Sequence, residues 1–191
     1  TRSAFVTGVQ TCALPIYQTR FSGERARVER DLGICLLQLA QNTAESTRKR
    51  DFYQECVQRF DSATKVEAQA GDVRIYTLWG IALVQLAKLD GSHVVLRQAV
   101  ERLDAARQRE PDNPEIQYNL ACAYALLRQP DTAMRHLRTC LGNDPKRKYF
   151  NEAAKDPDFD TLRLTRQFND LFREVPAQGT DTSVQPSISD R

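Results

Sequence analysis

The sequence predicts an all-α fold in which pairs of helices follow one another along the chain, and three observations predict it. Apolar residues recur on a 3.6-residue period through most of residues 21–175. The periodic segments come in pairs, and each first segment carries a small residue, Gly33, Gly80 or Ala121, directly after a large apolar one. Break and cap signals fall between segments: Gly71 and Asp72, Asp90 to Ser92, Asn113 and Pro114, Pro130 and Asp131.

Residues 1–20 stand apart from this pattern. The sequence lacks an initiator Met, and residues 6–16, VTGVQTCALPI, resemble a translated sequencing adapter of the kind left at contig ends. The alternative is a genuine, irregular N-terminal segment. The stretch is therefore set aside from fold reasoning, and Cys12 with it. A targeting signal or a true N-terminus upstream is left open.

The first pair opens at Phe21. Ala26, Leu32, Gly33, Leu36, Leu37, Leu39 and Ala40 form one apolar face. A polar loop is expected over residues 41–50, then a second helix with Phe52, Cys56, Phe60 and Ala63. The second pair spans 73–88 and 94–109, with Tyr76, Trp79, Gly80 and Leu83 on its first helix and Ala99, Leu103 and Ala106 on its second. Ser92 suits an N-cap there. The third pair begins at Asn113, a good N-cap, with Pro114 at the first helical position and Glu115 complementing the positive helix end. Pro130 and Asp131 open its second helix, and Gly142 offers a left-handed residue to close it.

Residues 113–145, NPEIQYNLACAYALLRQPDTAMRHLRTCLGNDP, carry Leu120, Ala121 and Tyr124, then Ala133, Leu137, Cys140 and the closing Pro145. This spacing resembles the tetratricopeptide repeat, a helix–turn–helix unit with the pattern W-x2-L-G-x2-Y…A-x3-F…P. Gln117, Ala121 and Leu137 replace the Trp, Gly and Phe of that pattern. Small residues belong where two helices cross closely, because a larger side chain would force the backbones apart.

The earlier pairs fit the same phase with insertions. Leu36 to Cys56 is 20 positions and Leu83 to Ala99 is 16, where Tyr124 to Ala133 is nine. Ala68 stands in place of a closing Pro in the first unit, whereas Pro111 closes the second. After Pro145 a helix over 146–155 and an amphipathic stretch are expected, with Leu164, Phe168, Leu171, Phe172 and Val175 facing inward. An array needs such a terminal element to cover its last apolar face. The resemblance thus implies an α-solenoid of about three repeats, near 22–70, 72–111 and 113–145, with capping helices over 146–175. Residues 176–191 are rich in Pro, Ser, Thr, Gln and Asp and read as a disordered tail.

Charge nominates no nucleic acid: 27 Lys and Arg face 25 Asp and Glu, a formal net charge of +2. No apolar run approaches the ~20 residues that span a bilayer, which predicts a soluble protein. Five cysteines without a C-x-x-C pair signal neither a zinc site nor a disulfide framework, and a reducing, cytoplasmic setting is the simpler fit. Cys56 and Cys140 fall in small-residue slots, where a buried thiol packs as a small hydrophobe.

No catalytic motif was found, and no cofactor or metal is expected. His93 starts a helix and His136 is expected on a polar face. Asp156, Asp158 and Asp160 alternate as in a calcium loop but lack its Gly and terminal Glu, so capping and turn roles explain them better.

The repeat resemblance implies that the first helix of each pair lines a concave groove. By phase, its residues are Arg27, Arg30, Ile34, Arg74, Thr77, Ile81, Tyr118, Asn119, Cys122 and Leu126. Such a face suits an extended or helical protein segment with apolar anchors and a carboxylate. Ile34 takes the place where chaperone-tail binders of this family have an Asn, and the set contains no lysine. Chaperone-tail binding is therefore not expected. Three readings follow: a non-catalytic adaptor that binds a protein or peptide, an accessory array of a larger enzyme or signalling protein, and a module that self-associates through the repeat edge near Phe21.

Overall fold

The computed structural model describes residues 4–66 and 72–174. Among these there is no strand, and the helices pack in consecutive antiparallel pairs. Helix α1 (Ala4–Asn42) pairs with α2 (Ser46–Val66), α3 (Val73–Asp90) with α4 (His93–Arg107), and α5 (Pro114–Leu126) with α6 (Pro130–Gly142). Each hairpin also packs on the next through α2 against α3 and α4 against α5. A short α7 (Lys148–Ala153), a 3-10 turn (Pro157–Phe159), α8 (Asp160–Arg163) and α9 (Arg166–Glu174) close the array. This is the all-α helical-repeat arrangement expected from the sequence.

The small residues sit where the hairpins are tightest. A Cβ on Gly33 would lie 2.8 Å from Phe60 Cε1, and one on Gly80 would lie 2.4 Å from Leu103 Cγ. Phe60 and Leu103 are fully buried, so neither can step aside cheaply. In the third hairpin Ala121 and Leu137 hold the same positions and are equally buried. Cys56 and Cys140 pack as small residues, Cys56 donating its thiol to the Gly33 carbonyl at 3.2 Å. Burial pushes both thiols up to about 12. Two apolar clusters result: one spans the first two hairpins and one face of α5, the other the opposite face of α5, α6 and the closing segment.

Local chemistry accounts for the helix ends. Asp72 accepts the Arg74 amide at 2.9 Å, Ser92 the Val95 amide at 3.4 Å, and Asn113 the Glu115 and Ile116 amides at 2.9 and 3.4 Å. Asp144, buried, accepts three amides at the start of α7: Lys148 at 3.1 Å, Tyr149 at 2.7 Å and Phe150 at 3.1 Å.

Several expected boundaries move. The long polar loop over 41–50 shrinks to 43–45, because the extra residues lengthen α1 and α2 instead. The second insertion likewise goes into α3 and α4, leaving Gly91 and Ser92 as the turn. No backbone break marks position 20, since α1 runs unbroken from Ala4. Gly142 is not left-handed: it remains within α6, and the left-handed residues among those described are Gly91, Arg128 and Arg147. Leu164 points to solvent, 88% exposed, because it precedes α9 rather than sharing its inner face with Phe168 and Leu171. The tail expected over 176–191, Val175, and Ala68 lie outside the described residues.

Candidate binding groove

The first-helix residues singled out by phase divide into an open group and a covered group. Arg27 and Arg74 are exposed. Arg30 is partly buried and pairs with its neighbour Asp31 at 3.0 Å. Ile34, Ile81 and Leu126 are half-buried against the first apolar cluster. Asn119, half-buried, donates back to the Glu115 carbonyl at 2.7 Å. Thr77 is buried and donates to the Val73 carbonyl at 2.8 Å. Arg74 and Thr77 line a cleft of about 350 Å³ together with Asp72, Glu110, Asn113 and Glu115.

Tyr118 and Cys122 do not face an open groove. The closing segment covers them, leaving 7% and 3% of their surfaces exposed. Tyr118 packs against Tyr149 with ring centres 5.0 Å apart and edge-on to Phe159 at 5.7 Å. Its hydroxyl donates to Asp156 Oδ2 at 2.6 Å. Burial above all, together with the hydrogen bond to Asp156 and the nearby Asp156 and Glu152 carboxylates, pushes the phenol well above its usual range. The other Asp156 oxygen accepts the Asp158 amide at 3.0 Å and so starts the 3-10 turn, which is the capping role expected of this aspartate.

Asp158 reaches back to the second hairpin, its Oδ1 lying 2.7 Å from Lys88 Nζ at the end of α3. Desolvation raises its carboxyl, with Lys88 pulling in the opposite direction. Cys122, Asp156 and Asp158 thereby bring a thiol and two carboxylates within 4.8 Å of one another. The carboxylates take Tyr118 and Lys88 as partners, while burial raises the Cys122 pKa and keeps the thiol protonated. The arrangement fastens the 3-10 turn of the closing segment onto α3 and α5.

Sequence reasoning missed Lys88 and the reach of Asp156 and Asp158, and it misplaced His136. That ring is half-buried, stacked on Tyr124 with centres 5.3 Å apart, and its Nδ1 lies 2.7 Å from Gln117 Oε1. His93 is exposed, at the start of α4.

A helical-repeat scaffold is the class that this architecture defines. The family model described as tetratricopeptide repeat matches residues 96–163, which takes in most of α4, the third hairpin and the closing segment through α8. That stretch is similar to the tetratricopeptide repeat, as the spacing of 113–145 indicated, and the match supports a protein-interaction scaffold in general terms. The first hairpin lies outside the match. Searches of the curated proteins and of the solved structures found no match to this chain. Among the described residues, no helix is long and apolar enough to cross a membrane.

Proposed function

We propose that the chain is a non-catalytic scaffold that holds a protein or peptide segment along the first-helix faces of α1 and α3. One observation carries the reading. Exposed Arg27 and Arg74 lie in phase with half-buried Ile34 and Ile81, so guanidinium groups border apolar footholds on the part of the groove face that the closing segment leaves open. The fitting partner is an extended or helical segment with apolar anchors and at least one carboxylate. Tyr118 and Cys122 serve the cap in this reading, and the binding surface is displaced toward the N-terminal hairpins.

The test is capture by the full chain compared with an Arg27→Glu/Arg74→Glu variant whose helicity is unchanged. A partner held by the first and released by the second supports the groove. A partner held equally by both removes the site from this face. A second reading, self-association, draws on Val28, Leu32 and Leu39, which lie exposed along one side of α1 at 57%, 42% and 51%. Light scattering of the chain and of a Leu32→Glu/Leu39→Glu variant separates the two readings.

A further inference from the structure

The first helices of the three hairpins carry one face in common register, and in the first hairpin that face is open. Counted from the small residue at the crossing (Gly33, Gly80 or Ala121), it holds the residues five and one before it and two and six after it. In α3 these are Ile75, Trp79, Ala82 and Leu86, none more than 7% exposed. In α5 they are Ile116, Leu120 and Ala123, all fully buried, followed by half-buried Leu127 at the helix end. The second helix of the preceding hairpin covers this face, α2 on α3 and α4 on α5. In α1 the same positions are Val28, Leu32, Cys35 and Leu39, and all four are exposed.

The pattern of the bare face is complementary to itself. Its spacing of four, three and four residues is that of a heptad seam along which two helices pair. It reads large, large, small, large, with the small side chain of Cys35 where α3 and α5 have Ala82 and Ala123. Turned end for end about the midpoint of Leu32 and Cys35, the pattern falls on itself: Val28 meets Leu39, and Leu32 enters the notch at Cys35. A parallel alignment would set small against small at Cys35 and leave a void there. On the flank, the reversed alignment brings Glu24 beside Asn42 and Asp31 beside Gln38, so no like charges meet. The second helices are not free to cover the face instead, since α3 packs on α2, α5 on α4 and the closing segment on α6.

We propose that this face of α1 is a homodimer interface: two copies pair their α1 helices antiparallel, each setting Leu32 beside the partner's Cys35. This pairing rests on the self-association reading and gives it an orientation and a register. From Val28 to Leu39 the seam runs about 17 Å, at about 1.5 Å per residue. That is short beside a standard interface, which buries about 1,600 Å² in total, so the pairing is weak and concentration-dependent. The seam lies roughly a third of a turn or more from Arg27, Arg30 and Ile34 around the helix, so pairing leaves the groove face of each copy open.

The experiment is sedimentation equilibrium of the full chain over a concentration series under reducing conditions. The average mass should rise from one chain toward two. Leu32→Glu and Cys35→Lys each put a charge into the seam and should weaken pairing about tenfold or more, with helicity unchanged because both positions are exposed in the single chain. An equimolar mixture of the two variants should pair again. One site of the mixed dimer then joins the new carboxylate to the new ammonium, and the other keeps native Leu32 and Cys35; a parallel register brings no such pair together. A chain that stays monomeric at every concentration overturns the pairing and the self-association reading with it. Dimers that persist in both single variants place self-association on another surface and overturn the α1 interface. Variants that are monomeric both alone and mixed keep self-association on α1 but overturn the antiparallel register.

Discussion

The second and third hairpins answer the same geometric demands with different residues. The second has helices of 18 and 15 residues, crosses at Gly80 against Leu103, and turns through Gly91. The third has two helices of 13 residues, crosses at Ala121, and turns through Arg128. Longer helices meet over more turns, and one contact closer than a methyl group allows then sets how they cross. The third hairpin approaches less tightly and gains from outside: the closing segment covers α5 and is tied to the second hairpin by Lys88 and Asp158. Fit within the pair holds one hairpin, and cover from the following chain holds the other.

The largest expected effect tests the first half of that contrast. Gly80→Ala gains about 1 kcal/mol of helix propensity, but its methyl would stand 2.4 Å from a fully buried Leu103, and such overpacking costs about 1–3 kcal/mol. A net loss of up to about 2 kcal/mol is expected in urea denaturation. Gly33→Ala, facing the Phe60 ring at 2.8 Å, should lose less. A stabilised Gly80→Ala would mean that the close approach does not constrain the hairpin.

Cover from the cap is tested at Asp144, whose carboxylate receives three backbone amides. Asp144→Ala leaves those donors without their acceptor at the start of α7 and should cost about 1–2 kcal/mol, with exchange rising first in α7 and the Tyr118 side of α5. If α7 keeps its protection in the variant, the cap is held from elsewhere.

The repeat was legible because its signals are local. Leu120 with Ala121, and Ala133 with Leu137, lie a turn or less apart, and the helix starts at Asp72, Ser92 and Asn113 carry their own capping side chains. The insertions were seen, but their form was not: extra polar residues lengthen a loop or a helix equally well on sequence grounds, and here they extended α1 through α4. Covering of Tyr118 was illegible for a different reason. Its hydroxyl partner is 38 residues away, and no local pattern links Lys88 with Asp158. His136 looked exposed because the α6 pattern alone places it beside Arg135, while the Gln117 and Tyr124 that shelter it come from α5.

The smallest effect isolates the turns. At the end of α3 the Ser92 amide donates to the Ala87 carbonyl, with Gly91 left-handed at φ 64°. At the end of α5 the Gln129 amide donates to the Tyr124 carbonyl at 2.9 Å and the Arg128 amide to Ala125 at 3.0 Å, with Arg128 left-handed at φ 58°. Both are the six-to-one closure that favours glycine at its left-handed position, and the third hairpin makes it with a side chain in place. An L-residue there costs about 1–2 kcal/mol, partly offset because glycine loses about 0.4–1 kcal/mol more entropy on folding. Arg128 is exposed, so Arg128→Gly should raise stability by roughly 0.5–1 kcal/mol, and Gly91→Ala should lower it by a similar amount. Thermal unfolding of the two variants beside wild type reads both signs at once. A stabilised Arg128→Gly with a destabilised Gly91→Ala places the difference between the turns in backbone conformation; two losses would mean that the Arg128 side chain holds the third turn through contacts of its own.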